Sequence, residues 1–279
     1  TAEMMLECKP PSHSEALFKF PERIDAVTAW GRHAQNMDFI AEEIITTRTL
    51  KTGEQRHFIG LQLHNLNLDP QFTYFLGGDC GVEEDSYVLC LGHGEPIETQ
   101  VVEDGEIVTK WINKPIEDLI LEWRPNKKER LPVDLLNVSE IITQICSQVY
   151  VKKALFDKFN SAEVVQRLMS LGVDATDTSF TNQFQLKIYQ NAKSLIYAGN
   201  VELLDYKSRY ADVASPNEEL KAIKLINGNK IDHDSKLGDK KVGKDFSDAR
   251  MAFIWLCSNE PPESVSNFAM PVILGTKRR

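Results

Sequence analysis

The order of apolar and polar positions divides the chain into a β-rich first half and a second half with helical periodicity. Residues 42–50 and 57–63 are β-rich, and Lys51-Thr52-Gly53-Glu54 supplies a turn between them, so a hairpin is predicted. Residues 72–78 are apolar and aromatic, and residues 86–91 are rich in Val, Leu, Tyr and Cys. With Gly77, Gly78, Asp79, Cys80 and Gly81 between, they predict two antiparallel strands joined by a short acidic turn. Residues 97–102 and 107–112 alternate around Glu103-Asp104-Gly105, a further hairpin that brings the sheet to three antiparallel strands. Residues 117–130 are polar and charged and read as surface.

The period then changes. Val138, Ile141, Ile142 and Ile145 share one helical face within 137–148. Residues 149–157 read as a strand ending in Asp157. An amphipathic helix over 162–171 follows, with Ser161 or Asn160 as N-cap and Gly172 as stop. A longer helix over 181–198 carries Phe184, Ile188, Ala192 and Leu195 and ends at Gly199. Residues 201–204 are a short extended segment. Residues 217–224 read as a short helix after Ser215-Pro216, although 223–227 can instead begin a strand with Gly228 as its turn. Residues 230–248 are polar and loop-like, and 246–258 form an apolar helix with Ala249, Ala252, Phe253, Trp255 and Leu256.

At the N-terminus the signal is weak, with an extended linker at 9–12 and a short helix at 26–34. The tail beyond residue 262 reads as irregular and ends Lys277-Arg278-Arg279. Residues 1–69 are therefore taken as a linker-like or accessory region with a hairpin, and 70–279 as the principal domain.

Bulk properties narrow the choice. The chain has 279 residues, 42% of them hydrophobic, enough for a sizeable core. No apolar run approaches the roughly 20 residues that span a bilayer, so no membrane partner is expected. It begins Thr-Ala-Glu with no secretory signal, and reads as an excised fragment or processed product. The five cysteines (Cys8, Cys80, Cys90, Cys146, Cys257) are scattered and none form Cys-x-x-Cys, which argues against a zinc site or disulfide framework and for a reducing cytosolic compartment. None of the six histidines has His-Glu-x-x-His spacing. A net charge of −9 argues against gripping nucleic acid by bulk electrostatics, but not against an enzyme that meets phosphates through bound cations.

Three acidic positions recur at element ends: Asp79 after the first strand, Asp157 after a later one, and Asp248, with Asp245, opening the final helix. Turn chemistry explains an isolated Asp79, a loop or cap role explains Asp157, and helix capping explains Asp245 and Asp248. If the three meet, like charges repel and one pKa rises unless cations compensate. Hard carboxylate oxygens suit two divalent cations, Mg2+ or Mn2+. Such ions about 3.5–4 Å apart can activate water and stabilise a leaving oxygen in phosphodiester cleavage.

Gly-Gly-Asp-Cys-Gly with Asp-Ser-Tyr (77–87), Phe-Asp-Lys-Phe-Asn-Ser-Ala-Glu-Val-Val-Gln-Arg-Leu (156–168) and Gly-Lys-Asp-Phe-Ser-Asp-Ala (243–249) resemble the nuclease domain of bacteriophage terminase large subunits. Glu219-Leu220 and Lys230-Ile231-Asp232-His233 fit the same order, and the resemblance covers residues 72–258. It implies an α/β, ribonuclease H-like mixed sheet flanked by helices, in a viral protein that cuts concatemeric double-stranded DNA in the host cytoplasm. Asp79 and Asp157 match the first- and fourth-strand acids. Asp245 and Asp248 both match the third, with Asp248 favoured because it precedes Ala249, and Asp245 left as a supporting ligand or cap. The resemblance also implies a terminase small subunit and a portal as partners, and weak, non-specific DNA affinity for the isolated domain. Members of this family carry an ATPase motor domain ahead of the nuclease, and none is expected in this stretch. Gly238-Asp-Lys-Lys-Val-Gly-Lys244 imitates a P-loop, but Asp245 stands where Ser or Thr should hold Mg2+. Lys236, Lys240, Lys241 and Lys244 read instead as a loop touching DNA backbone or as a solvated loop. Two other readings stay open: a non-enzymatic DNA-guiding or docking module, and a transposase-like strand-transfer enzyme on the same fold.

Overall fold

The computed structural model describes residues 14–30, 40–103 and 106–262. The extended 9–12 segment, Cys8 and the tail beyond 262 lie outside the described residues. The strands are β1 (Ser14–Ala16), β2 (Thr28–Ala29), β3 (Ala41–Thr49), β4 (Gln55–Leu63), β5 (Thr73–Cys80), β6 (Tyr87–Glu103), β7 (Glu106–Trp123), β8 (Tyr150–Asp157), β9 (Asp174–Thr178), β10 (Leu203–Leu204), β11 (Ile223–Ile226), β12 (Lys230–His233), β13 (Lys236–Leu237) and β14 (Lys240–Lys241). The helices are α1 (Glu22–Ala26), α2 (Leu135–Gln148), α3 (Ala162–Ser170), α4 (Asn182–Ala198), α5 (Pro216–Lys221) and α6 (Asp245–Asn259).

A five-stranded sheet in the order β7-β6-β5-β8-β9 is the frame. β5, β6 and β7 form an antiparallel meander, while β8 joins β5 in parallel and β9 joins β8 in parallel. The connections β8–α3–β9 supply the helical crossover that parallel strands need. The result is an α/β architecture, a five-stranded mixed sheet flanked by helices.

Alternation along β5 decides what each face meets. Gly77 faces α6: a Cβ there would collide with the Ala249 carbonyl oxygen and the Phe253 amide. Gly92 of β6 likewise makes room for the Phe253 ring. Two absent side chains thus let a helix backbone lie directly on the sheet. Ala249, Ala252 and Phe253 are fully buried at this crossing.

Of residues 117–130, expected at the surface, 127–130 are exposed, but Glu117, Leu119, Ile120, Leu121, Glu122 and Trp123 are buried in β7. Glu117 and Arg250 of α6 form a bidentate pair at 2.8 and 2.7 Å, with both side chains almost wholly enclosed. The pair survives burial because its spare groups are used as well. Arg250 Nη1 donates to Asn217 Oδ1 (2.8 Å), and Glu117 accepts from the Leu204 amide (2.7 Å) and the Cys90 thiol (2.8 Å). The loop expected over 230–248 contains β12, which pairs with β11, and the β13–β14 ladder. The helix expected at 26–34 is α1 and then β2, its remainder lying outside the described residues.

The hairpin β3–β4 forms as expected, paired from Ala41↔Leu63 to Thr49↔Gln55. The Ile59 amide donates to Pro132 O (2.8 Å), the Asp134 amide to Ile59 O (2.9 Å) and the Val133 amide to Val82 O (3.0 Å). Asp134 also caps α2, accepting from the amides of Leu136 and Asn137. Leu17, Phe18, Ile24, Ala41 and Leu61 belong to the same hydrophobic cluster as β5 and β8.

Gly77→Ala is expected to destabilise the protein by about 3 kcal/mol or more, because backbone, not a flexible side chain, fills the space its Cβ needs. Urea unfolding measures this, and a loss under about 1 kcal/mol would contradict the close approach.

Candidate active site

Gly77 and Gly78 stand opposite Leu155 and Phe156 across the parallel β5–β8 pair, so Asp79 and Asp157 leave the sheet at one edge. Asp79 lies two residues beyond Gly77 and therefore on the face that α6 covers. α6 begins at that edge with Asp245 and Asp248 in its first turn. Asp79, Asp157 and Asp245 line one cavity of about 680 Å³, together with Asp85 and Phe159.

Each carboxylate is held differently. Asp157 Oδ1 accepts from the amides of Lys158 (2.7 Å) and Phe180 (3.2 Å), leaving Oδ2 without a donor among the described residues. Asp245 Oδ2 accepts from the Ser86 amide at 3.0 Å. Asp79 accepts no hydrogen bond among the described residues. Asp248 is buried and does not line the cavity; it accepts from Tyr189 Oη (2.8 Å), Gln185 Nε2 (3.3 Å) and Lys244 Nζ (2.6 Å).

Crowding shows in the electrostatics. Burial first, then Asp248 and Asp245, pushes the Asp79 carboxyl well above its ordinary range. Burial raises Asp248 too, against the opposing pull of Lys244. Burial and then Asp85 move Asp245 up to about 7. Glu219, whose Oε1 accepts from the Ser247 amide at 2.6 Å, is moved up to about 8 by burial and then by Asp245.

Among the described residues, no group of three or more His, Cys, Asp or Glu side chains is arranged to hold a metal ion. The donor chemistry still suits a hard cation: Asp79, Asp157 and Asp245 each keep an oxygen without a donor and face one cavity.

No family model matches the chain. No curated protein matches it either. Among solved structures it is similar to the large terminase of bacteriophage HK97, at 13% identity and a TM-score of 0.44, over 66% of this chain and 39% of that one. It is also similar to the large terminase nuclease of thermophilic phage G20c, at 12% identity and a TM-score of 0.42, over 67% of this chain and 83% of that one. A magnesium-bound form of that nuclease is similar at 12% identity and a TM-score of 0.42, over 68% and 83% of the two chains. The chain thus spans well under half the length of the HK97 protein.

Several site residues were not read from the sequence. Lys244, expected in a DNA-touching or solvated loop, turns its side chain inward and is only 19% exposed. Its spacing of four residues from Asp248 at a helix start is a signal that could have found it. Glu219 follows the Ser215–Glu218 capping box, which marks the start of α5 but not the direction of its next residue. Gln185 and Tyr189 carry no comparable signal, being polar positions on an otherwise apolar helical face. Ser161 stands at the N-cap of α3 without a capping hydrogen bond, its hydroxyl reaching Asp177 Oδ2 instead at 3.5 Å.

A raised carboxyl pKa means that the folded chain keeps a proton the unfolded chain has lost, so stability falls as pH rises through that window. For Asp245 and Glu219 the window runs from the ordinary carboxylate range up to about 7 and about 8. Calorimetry of the metal-free protein is expected to show a higher Tm near pH 5.5 than near pH 8, with Asp245→Asn reducing the difference. A Tm that climbs over this interval would contradict the crowding.

Proposed function

We propose that this chain is a divalent-metal-dependent endonuclease domain of the terminase large-subunit kind, acting on double-stranded DNA during viral genome packaging. The observation that carries the reading is the meeting of Asp79, Asp157 and Asp245 on one cavity, with Asp248 close enough to act on Asp79 electrostatically. Asp79, Asp157 and Asp248 are the catalytic acids on this reading, and Asp245 is a supporting ligand. Two bound Mg2+ or Mn2+ ions would supply an activated water and charge stabilisation at the leaving oxygen. The chain's own part is placement. Backbone amides fix the direction of Asp157 and Asp245, and Tyr189 and Gln185 fix that of Asp248. Residues 70–279 carry this nuclease unit and 1–69 are an addition to it.

A second cavity, of about 310 Å³, adjoins the acidic one and carries cations that could meet backbone phosphates. Arg56, Lys127 and Arg130 line it, and it shares Glu83 and Glu84 with the acidic cavity. Among the described residues Arg56 and Arg130 make no ion pair, whereas Lys127 holds Glu84 at 2.7 Å. Asn126 Oδ1 accepts the amides of Lys128 and Glu129, which stiffens the turn presenting these cations. Backbone phosphates are their natural ligands. The terminase small subunit and portal are the protein partners this reading implies.

The commitment of Asp248 to Lys244 favours a second reading, a non-catalytic DNA-guiding module on the same fold. Plasmid cleavage with Mn2+ separates the two. Wild type is expected to cut, and Asp79→Asn and Asp157→Asn to lose about a hundred-fold or more in rate. Equal cutting by all three would sink the nuclease reading, and no cutting by wild type would favour the guide. Arg56→Glu/Arg130→Glu is expected to weaken binding of a short duplex and to lower the slope of log affinity against log salt by about 2. An unchanged slope would remove these arginines from the DNA path.

A further inference from the structure

The described cations of the 236–244 segment divide sharply in what they meet. Lys240 pairs with Glu218 at 2.7 Å and Lys241 with Asp212 at 3.2 Å, none of the four lining the acidic cavity. Lys244 turns to the acidic cluster instead. Its carbonyl accepts the Asp248 amide (2.8 Å), so the first turn of α6 carries Nζ to 2.6 Å from Asp248 Oδ2. Asp79 of β5 and Asp245 of α6 also act on this ammonium electrostatically, while α4 faces Asp248 with the uncharged Gln185 and Tyr189. Enclosure works against a lysine charge, but the surrounding carboxylates outweigh it and hold Lys244 above its ordinary pKa.

A divalent ion bound by Asp248 Oδ2 would need to lie about 2.0–2.1 Å from that oxygen if it were Mg2+. The ammonium already occupies that side of the carboxylate, and two cations so close repel. A divalent ion there binds against this repulsion unless the ammonium moves away.

We propose that Lys244 is an exchangeable internal counter-cation: it neutralises the carboxylate cluster of the metal-free chain and is displaced from Asp248 when a divalent ion enters. This rests on the nuclease reading only in taking a divalent cation as the ligand of the cavity. It assigns Lys244 a positioning role, holding the Asp248 carboxylate in place through the 2.6 Å contact before metal arrives. The site is then loaded by ion exchange, and its apparent metal affinity is lowered by the bond that must break.

Mn2+ alone is the probe, read by calorimetric titration and by Tm with and without the ion, for wild type, Lys244→Met, Asp248→Asn and the double variant. Metal-free Lys244→Met is expected to melt about 5–10 °C below wild type, since the cluster loses its internal cation. It is expected to bind Mn2+ about ten-fold more tightly or better, no ammonium having to be displaced. Lys244→Met/Asp248→Asn is expected to recover the metal-free Tm and to lose the gain in affinity. Mn2+ binding to Lys244→Met no tighter than to wild type, or an unchanged metal-free Tm, would overturn the exchange. If Asp79→Asn abolishes binding and cutting while Lys244→Met changes neither, the exchange falls and the nuclease reading stands. If wild type neither binds Mn2+ nor cuts DNA, both fall together.

Discussion

The position of α6 on the sheet governs everything at the acidic edge, and the Glu117–Arg250 pair sets that position. A helix lying on a sheet through small residues can rotate and slide, because Ala249 and Ala252 offer little to interlock. A bidentate guanidinium–carboxylate pair cannot, since its geometry tolerates neither motion. The rest of the enclosure makes the pair costly to disturb: removing one partner would strand a buried charge. Asn217, Leu204 and Cys90 are bonded into the same knot, so α5, β10 and β6 are tied to α6 at one point. Asp245 and Asp248 lie within a turn and a half of Arg250, and a small rotation there would carry them off the cavity.

How Glu117 comes to face the helix is a matter of register. The β6–β7 ladder runs regularly from Tyr87↔Trp123 to Leu91↔Leu119, then shifts so that Gly92 stands opposite Glu117. Asp118 is the extra residue of this bulge, and its carboxylate meets His93 Nδ1 at 2.5 Å. Without the shift, Asp118 would stand opposite Gly92, and Glu117 would point to the other face. One additional residue in a strand therefore selects which acid reaches Arg250.

The sheet strands that end in acids were legible because each is an apolar run closed by an aspartate before a turn. Thr73–Cys80 and Tyr150–Asp157 both follow that pattern. The amphipathic helices were legible for the same kind of reason, and Gly199 ends α4 in the left-handed conformation that glycine favours. What failed was the reading of charge as exposure. Glu117 and Glu122 look solvated in isolation, and their burial depends on Arg250 in a distant helix and on Ser86, Ser208 and Arg124. The short ladders within 230–241 failed for want of length, two to four residues being too few to show a period. In the site, the acids could be named from their places at element ends, but not the side chains that hold them. Tyr189, Gln185 and Glu219 reach Asp248 and Ser247 only once α4, α5 and α6 have packed.

β6 and β7 are 17 and 18 residues long, yet β5 covers β6 only from Tyr87 to His93. The remainder is a two-stranded ribbon about 30 Å in reach, at roughly 3.4 Å per residue. Exposed Ile107 and Trp111 lie along it. A ribbon of this kind is stiff along its axis and soft in torsion. Its inner end is the same strand that sets Val88 against Asp79. The molecule therefore carries an arm that projects past the sheet, and its root is pinned where Asn113 donates to the carbonyls of Cys257 and Glu260.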